Sequence, residues 1–315
     1  MNAVFCKPIE NYAEIFNTIV KNTAQYITDN NLKCMILGIS GGIDSTVVAA
    51  ICHEVSKKTG IPLIGRSLPT KFNKEGEITT ADLVGKAFCT NYQEVSIEQT
   101  YKTLSNALYG YECALDFDEP QPTALTNGNI QARLRMIYLY NLAGMYKGIV
   151  MDTDNLTENN LGYFTIHGDV GDFNPIGGLW KTEVFELAKY LHEYYSIESH
   201  FNETYPDQLK PNSDYSRCVA VAESLKLKPT AGLGITDSDL DELGADSYEQ
   251  VDTILQEILA WKAFIDPEVG TLQEFLDAQQ MLNISMNIIE NVAKRHFASE
   301  FKRKQLPIKI TRHEL

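Results

Sequence analysis

The sequence predicts an α/β fold, in which a doubly wound parallel sheet is flanked by helices and followed by additional C-terminal helices. Short apolar runs alternate with segments of helical spacing through the first half of the chain. Strands separated by helices are expected to form right-handed βαβ units in one parallel sheet. A glycine-rich turn after the first apolar run fits this fold, because ligands bind at the carboxyl ends of such strands.

Four apolar runs are predicted as strands, namely residues 35–39, 61–68, 92–95 and 148–151. Helical spacing lies between them, over residues 44–58, 76–88, 97–108 and 130–146. Residues 9–28 have the pattern of an amphipathic helix that packs against this core.

The whole chain, residues 1–315, is predicted to be a single domain with its core at about residues 30–190. Residues 192–227 are polar and contain Pro206 and Pro211, so an irregular excursion is expected there. Helices are predicted at 247–264 and 279–297, separated by Asp266-Pro267, within a helical C-terminal part at about residues 246–315. No linker rich in Pro, Gly and Ser divides the chain.

Composition restricts the classes of partner and compartment. The formal net charge of −15 disfavours general nucleic-acid binding, because an acidic surface repels a polyanion. No apolar run approaches the length of a membrane span, so a cytoplasmic protein without membrane contact is expected. The six cysteines lack the spacing of zinc ligands or a redox pair, which favours free thiols in a reducing compartment.

The loop at residues 38–45 is the segment most indicative of chemistry, and its residues in order are Gly38, Ile39, Ser40, Gly41, Gly42, Ile43, Asp44 and Ser45. Its glycines let backbone N–H groups approach an anion, and the following helix adds its positive N-terminus. A carboxylate beside a phosphate requires a divalent cation, so Asp44 predicts a nucleotide–Mg²⁺ site. No lysine follows as in a Walker loop, and a tight turn capped by Asp or Ser is the alternative.

Residues 151–158 follow the fourth predicted strand and carry three carboxylates. Glu158 could share Mg²⁺ with Asp44, since two carboxylates with phosphate oxygens and water suit that ion. An acidic helix N-terminus capped by Thr153 or Asp154 explains the segment equally well.

A third candidate segment is the start of the helix near residue 127. Ile130, Leu134 and Ile137 share a face there that is predicted to be core. Arg133 and Arg135 cannot both point the same way, so at most one is expected to enter a site.

Residues 167–178 combine glycines with aspartates, which is the composition of a binding loop. Lys181 follows at a helix start, where a lysine is electrostatically unfavourable. This position favours a role for Lys181 in binding phosphates. The basic cluster of Lys302, Arg303 and Lys304 is ordinarily explained as a solvated tail.

Ser-Gly-Gly-x-Asp-Ser at residues 40–45 resembles the PP-loop of ATP pyrophosphatases, and most of the chain resembles the synthetase domain of NAD synthetases. The resemblance extends through residues 127–136, 153–175, 229–231, 238–244 and 301–307. It implies an adenine nucleotide alpha hydrolase-like fold. It also implies ATP-dependent amidation of deamido-NAD to NAD through an adenylated intermediate, with AMP and pyrophosphate released. The family is homodimeric, so a homodimer is expected.

The resemblance also implies roles for single residues. ATP would be contacted by the loop Gly38 to Ser45 and by Thr153, Lys181 and Thr230. Arg133, Asp172 and Lys302 would contact deamido-NAD, and Asp44 and Glu158 would hold Mg²⁺. Asp44 and Lys181 are the expected catalytic residues, and Asp169 could help to deprotonate ammonium.

Two positions depart from the family pattern. Ile166 stands where many ammonia-dependent members have a lysine, and Phe301 where they have a histidine. The 34 residues before the first predicted strand are too few for a glutaminase domain, so free ammonia or a separate glutaminase partner is expected as donor. The alternatives are another PP-loop enzyme that amidates or thiolates a different substrate, and a non-catalytic nucleotide-binding homologue.

Overall fold

The computed structural model describes residues 8–112, 123–202, 210–229, 239–264, 270–279, 283–303 and 308–309. At its centre lies a parallel sheet of four strands: β1 Met35–Gly38, β2 Leu63–Ser67, β3 Asn91–Glu94 and β4 Ile149–Val150. These are the four predicted strands, with ends that differ by one or two residues. The predicted α/β class and parallel sheet are therefore confirmed.

The strand order is β3-β2-β1-β4, so the chain reverses its direction across the sheet at β1. Strand β1 pairs with β2 on one side and β4 on the other, and Met35, Ile36 and Leu37 are fully buried. A parallel sheet has its ligand crevice where the strand order reverses. The loops that follow β1 and β4 therefore form the expected position for a site.

Helices cover both faces of the sheet, and successive residues of β1 alternate between two cores. Met35 and Leu37 belong to the core built from the helices Tyr12–Asp29 (α1), Ile43–Thr59 (α2) and Glu75–Phe88 (α3). Cys34 and Ile36 belong to the core on the opposite face, with Glu98–Glu112 (α4) and Ala124–Tyr146 (α5). This alternation confirms the doubly wound arrangement.

Helix α5 begins before the predicted residues 127–130, because Thr123 caps it by accepting a hydrogen bond from the amide of Thr126 (3.2 Å). Leu134 is buried, but the side chain of Ile137 is 63% exposed. The prediction that Ile137 shares a core face with Leu134 is therefore wrong.

Beyond β4 come the helix Leu156–Leu161 (α6), the strand Phe173–Asn174 (β5), and the helices Lys181–Asn202 (α7) and Asp214–Lys226 (α8). The predicted irregular excursion at 192–227 is wrong over most of its described length, since α7 continues through it and α8 follows Pro211. Both helices place small or apolar side chains in the first core, such as Tyr195 and Val221. The polar composition of the segment reflects their solvent faces.

The C-terminal part contains the helices Asp239–Leu243 (α9), Tyr248–Phe264 (α10), Leu272–Ala278 (α11), Met286–Ala298 (α12) and Glu300–Arg303 (α13), and the strand Ile308–Lys309 (β6). The helix predicted at 279–297 begins only at Met286, capped by Ser285. The breaker Asp266-Pro267 lies outside the described residues. Strand β6 pairs with β5 in a second parallel sheet that the sequence did not predict.

These C-terminal helices form a third core, which includes Val251, Ile254 and Val292. Leu161 of α6 and Trp180, which precedes α7, also belong to it. The C-terminal part therefore packs directly against the two elements that follow the sheet. No helix within the described ranges is long and apolar enough to cross a bilayer.

Candidate active site

The glycine-rich loop leaves β1 and passes directly into α2 at Gly42, the N-cap residue. Gly42 has no side chain, so no N-cap side chain accepts a hydrogen bond from the first-turn N–H groups of α2. The amide of Gly42 donates to Ser40 Oγ (3.2 Å), and the hydroxyls of Ser40 and Ser45 lie 3.0 Å apart. The loop thus combines backbone donors, hydroxyls and a helix N-terminus, which together can hold a phosphate.

Gly41 is required by two features of this turn. Its φ is +84°, in the left-handed region that favours glycine. A Cβ at this position would lie 2.4 Å from the carbonyl oxygen of Glu77 and 2.9 Å from the amide nitrogen of Ala81. The loop therefore lies directly against the backbone of α3.

Asp44 does not cap the helix but faces a buried lysine from α7. Lys181 Nζ donates to Asp44 Oδ2 (2.6 Å) and to Glu158 Oε1 (2.9 Å). Lys181 is only 1% exposed. Burial by itself would lower the pKa of Lys181, but Asp44 and then Glu158 outweigh it, and the pKa is raised well above its ordinary value. Burial and the Asp44 charge raise the pKa of Glu158.

Asn155 connects the loop after β4 to the glycine-rich loop. As N-cap of α6, its Oδ1 accepts from the amide of Glu158 (3.0 Å), while Glu158 Oε2 accepts from the amide of Asn155 (3.1 Å). Its Nδ2 donates to Asp44 Oδ1 (2.8 Å). The cap is therefore Asn155 rather than the predicted Thr153 or Asp154. Glu158 accepts a hydrogen bond at the start of α6 and also pairs with Lys181. The two interpretations of this segment, a metal ligand and an acidic helix N-terminus, are therefore compatible.

The donor set fits Mg²⁺. Asp44 and Glu158 place two carboxyl groups around one ammonium. Carboxylate oxygens are hard ligands, and Mg²⁺ in nucleotide sites takes one or two of them with phosphate oxygens and waters. Asp44 and Glu158 could hold the ion together with a nucleotide.

One cavity of about 290 Å³ joins these groups. It is lined by the glycine-rich loop and by Thr153, Glu158, Lys181, Asp169 and Arg135. Arg135 donates from Nε to the carbonyl of Leu68 (3.1 Å).

Asp169 is an exposed residue that lines this cavity, and its Oδ1 accepts from the amide of Thr165 (2.6 Å). Desolvation of its carboxyl group by the surrounding protein atoms raises the pKa of Asp169.

The residues predicted to contact the dinucleotide do not line this cavity. Arg133 is exposed and donates from Nε to the carbonyl of Ile166 (3.3 Å). Asp172 Oδ1 accepts from the hydroxyl of Tyr140 (2.7 Å). The two arginines of α5 do point in different directions, and Arg135 is the one that reaches the cavity. Thr230 lies outside the described residues.

Lys302 and Arg303 are held in place on α13. Lys302 Nζ donates to the carbonyls of Gly162 (2.8 Å) and Phe164 (2.7 Å), and Arg303 Nη1 donates to the carbonyl of Asn160 (2.8 Å). The explanation as a solvated tail is therefore wrong for these two residues, whereas Lys304 lies outside the described residues. Phe301 is 60% exposed.

Sequence reasoning missed Asp252, a buried carboxylate on α10 that contacts the start of both α6 and α7. It accepts from the hydroxyl of Thr157, the hydroxyl of Thr182 (2.8 Å) and the amide of Thr182 (3.0 Å). Burial raises the pKa of Asp252 to about 6. No local motif marks this residue, because its partners lie 70 and 95 positions away.

Comparison with known proteins places this site in a family. The sequence matches the NAD synthase family over residues 15–306. It is 33% identical to the NH(3)-dependent NAD(+) synthetase of Methanococcoides burtonii, over 82% of this chain and 84% of that protein. It is 30% identical to the enzyme of the same description from Pyrococcus furiosus, over 93% and 94% of the two chains.

Two solved structures share the fold over nearly the whole chain. The NMN synthetase from Francisella tularensis superposes with a TM-score of 0.68 at 26% identity, covering 95% of this chain and 99% of that one. The NH3-dependent NAD synthetase from Campylobacter jejuni gives a TM-score of 0.60 at 21% identity, covering 95% and 98%. The resemblance inferred from the PP-loop and the later segments is confirmed: this chain belongs to the NAD synthase family.

Proposed function

We propose that this chain is a ligase that amidates deamido-NAD to NAD, with ATP as co-substrate and ammonia as nitrogen donor. Family membership at about 30% identity over most of the chain supports this activity. The observation that carries it in the structure is the convergence of Asp44, Glu158 and Lys181 on the cavity beside the glycine-rich loop. This is the arrangement that an ATP-cleaving site needs.

The reaction requires activation, because a carboxylate would have to expel oxide when ammonia attacks it. The nicotinate carboxylate first attacks the α-phosphorus of ATP, and the bond to the bridging oxygen breaks to release pyrophosphate. Ammonia then attacks the carbonyl carbon of the mixed anhydride, loses a proton and expels AMP. Positioning and charge neutralisation are the main tasks of the protein in such a sequence.

The roles of the site residues follow from their places. The loop Gly38 to Ser45 holds ATP phosphates through its N–H groups and the N-terminus of α2. Lys181 neutralises the charge that develops on the leaving pyrophosphate. Asp44 and Glu158 hold Mg²⁺, which when bound supplies further charge neutralisation. Thr153, on the cavity wall, and Thr230 are proposed to contact ATP.

Asp169 is proposed to take the proton from ammonium. It lines the same cavity as Lys181 and the loop. Because desolvation of its carboxyl group raises its pKa, Asp169 is a stronger base than an ordinary aspartate.

The dinucleotide is proposed to be bound by Arg133, Asp172 and Lys302 at the surface beside the cavity. A homodimer would cover this surface. Helix α5, which carries Arg133, also exposes large apolar side chains, and an apolar surface of this kind indicates an interaction site. The exposed apolar residues of α5 include Leu125, Ile137, Tyr140, Met145 and Tyr146.

A second substrate is supported by the likeness to the Francisella NMN synthetase. A nicotinate mononucleotide would undergo the same adenylation and amidation in the same cavity. The resemblance to the family puts the departures at Ile166 and Phe301 on the substrate side of the site, so a change of acceptor is tested by comparing the two acids directly.

Free ammonia is the proposed donor, and a separate glutaminase partner is the alternative source. The thiols of Cys34, Cys52, Cys89 and Cys218 are free, and the first three are buried. Free thiols of this kind support the proposed cytoplasmic location.

The test is product formation from ATP, Mg²⁺ and ammonium with deamido-NAD or nicotinate mononucleotide as acceptor, and glutamine in place of ammonium in parallel. NAD and AMP formed in equal amounts with ammonium alone support the proposal. A higher kcat/KM for the mononucleotide would move the assignment to the second substrate. Absence of product with both acceptors, in protein that binds ATP, would contradict amidation of these nucleotides.

A further inference from the structure

Helix α7 begins at the buried lysine of the site without a local N-cap side chain. The carbonyl of Trp180 accepts the first helical hydrogen bond, from the amide of Val184 (2.9 Å), so Trp180 occupies the N-cap position. An indole cannot accept a hydrogen bond, whereas Ser, Thr, Asp and Asn ordinarily fill this position. The positive end of the helix also disfavours a lysine in its first turn. The first-turn Glu183 accepts from the amide of Trp180 (2.9 Å), while the amides of Lys181 and Thr182 donate to side chains of other elements, Thr157 and Asp252.

Helix α10 supports this helix start through Asp252, whose side chain is buried at 2% exposure. One carboxylate oxygen, Oδ2, accepts from both the amide (3.0 Å) and the hydroxyl (2.8 Å) of Thr182. A carboxylate in this place does the work of an N-cap and offsets the helix dipole.

The other carboxylate oxygen fixes the direction of a second hydrogen bond. Asp252 Oδ1 accepts from the hydroxyl of Thr157, and Thr157 Oγ1 accepts from the amide of Lys181 (2.8 Å). A hydroxyl has a single hydrogen, so donation to Asp252 leaves its lone pairs for the Lys181 amide. Thr157 precedes Glu158, and Asp252 therefore tethers the backbone beside both partners of the Lys181–Glu158 ion pair.

The same face of α10 also contacts the other end of Lys181. Tyr248, one turn before Asp252, places its ring 5.7 Å from Lys181 Nζ. Helix α10 thus approaches Lys181 at its backbone through Asp252 and at its ammonium through Tyr248.

We propose that Asp252 is a positioning residue for the adenylation step, which holds the start of α7 against α6 so that the Lys181 ammonium lies between Asp44 and Glu158. The proposal rests on the proposed function, because that function assigns Lys181 to the ATP phosphates. A shift of about an ångström in the first turn of α7 is enough to lengthen these short contacts and to reduce the rate. Because Asp252 lies on α10, the packing of the C-terminal helices helps to set the position of Lys181 and hence the rate of the reaction.

Asp252→Asn tests this with little change of shape. The amide keeps one acceptor for Thr182 but presents an NH₂ to Thr157, whose hydroxyl then loses its acceptor. We expect kcat for NAD formation to fall by about 10- to 100-fold. Thr157→Val should give a similar loss, and Thr157→Ser, which keeps the hydroxyl, should stay within about threefold of wild type.

Coupling to Lys181 separates positioning from general stability. If Asp252 acts through Lys181, Asp252→Asn in a Lys181→Met background should lower kcat by less than about threefold further. Val292→Ala is the matched control, because it opens space in the same C-terminal core without touching this network. It should lower the melting temperature but leave kcat unchanged at a temperature where the variant is folded.

A measurement without turnover keeps the inference separate from the identity of the substrate. Binding of Mg²⁺ with α,β-methylene-ATP, followed by calorimetry, should weaken in Asp252→Asn by no more than in Lys181→Met. The double variant should bind as weakly as Lys181→Met alone, and Val292→Ala should bind like wild type. Losses that multiply in the double variant, or an Asp252→Asn that behaves like Val292→Ala, would overturn the inference. If wild type binds the analogue but forms no NAD, the proposed function fails while this comparison still decides the role of Asp252.

Discussion

Replacing Lys181 with methionine removes an ammonium that lies between two carboxylates, at 2.6 Å from Asp44 and 2.9 Å from Glu158. Methionine keeps an unbranched side chain of similar length, so the change is mainly in charge. Breaking a buried ion pair by removing one partner costs about 3–5 kcal/mol, because the other charge remains buried. The side chains of Asp44 and Glu158 are 16% and 19% exposed, so water can reach them and the lower end of this range applies.

A loss of about 3 kcal/mol corresponds to a fall in melting temperature of about 4–5 °C for 315 residues, because the entropy of unfolding is about 2.1 cal/mol/K per residue. The rate should fall more steeply. A group that stabilises developing charge contributes about 10²- to 10³-fold to kcat, so we expect a loss of that size in NAD formation from ATP, deamido-NAD and ammonium. The assay is the initial rate at saturating substrates, with the melting temperature measured in parallel.

Lys189→Met on the same helix is the matched control. Lys189 pairs with Glu186 at 2.6 Å, but both side chains are about half exposed, at 58% and 49%. Exposed pairs contribute about 0–1 kcal/mol, so neither stability nor kcat should change appreciably. A Lys181→Met enzyme with kcat within threefold of wild type would refute the reasoning, since the buried ammonium would then take no part in the reaction.

Three further predictions concern other parts of the molecule. Gly41→Ala should weaken ATP binding and destabilise the protein by more than about 1 kcal/mol, because φ at this position is +84° and the new Cβ would lie 2.4 Å from a backbone oxygen. The control Gly144→Ala has open space around its Cβ, so thermal melting should show an unchanged or higher stability. Burial and then the Arg303 charge lower the pKa of His296 to about 3, so the unfolded state binds more protons below pH 6.5 and stability falls as pH decreases. In denaturant titrations, His296→Asn should reduce the stability difference between pH 7.5 and pH 5 by about 2 kcal/mol, and an unchanged difference would contradict this. Arg135→Gln should lower kcat, whereas Arg133→Gln should mainly raise KM for deamido-NAD; the reverse pattern in steady-state kinetics would show that Arg133 enters the cavity.

The sequence predicts those parts of the fold whose signals are local. The apolar run before Gly38 and the helical spacing after Ile43 are contiguous, so β1, the loop and α2 could be placed within a residue or two. The second half of α7, from residue 192, and the whole of α8 could not be predicted, because a polar average composition hides a helix that buries only one face. Tyr195 and Val221 show that face only after the chain has folded against the first core.

The residues of the site also divide into those that local sequence signals predict and those that they do not. Asp44 and Glu158 follow strands that end at one edge of a parallel sheet, so their approach could be expected. Whether Arg133 or Arg135 enters the cavity depends on the rotation of α5 against its neighbours, which spacing alone does not determine. Asn155 and Asp252 act through contacts with distant segments, and no local pattern distinguishes them from other polar residues.

The central claim is that this cavity activates the substrate by transferring AMP to its carboxylate. It is tested most directly with deamido-NAD that carries ¹⁸O in the nicotinate carboxylate, with the AMP and pyrophosphate products analysed by mass spectrometry. The account predicts one ¹⁸O in AMP and none in pyrophosphate, because the carboxylate oxygen bonds to the α-phosphorus and leaves with it. Unlabelled AMP, or label in pyrophosphate, would contradict adenylation and with it the role assigned to Lys181.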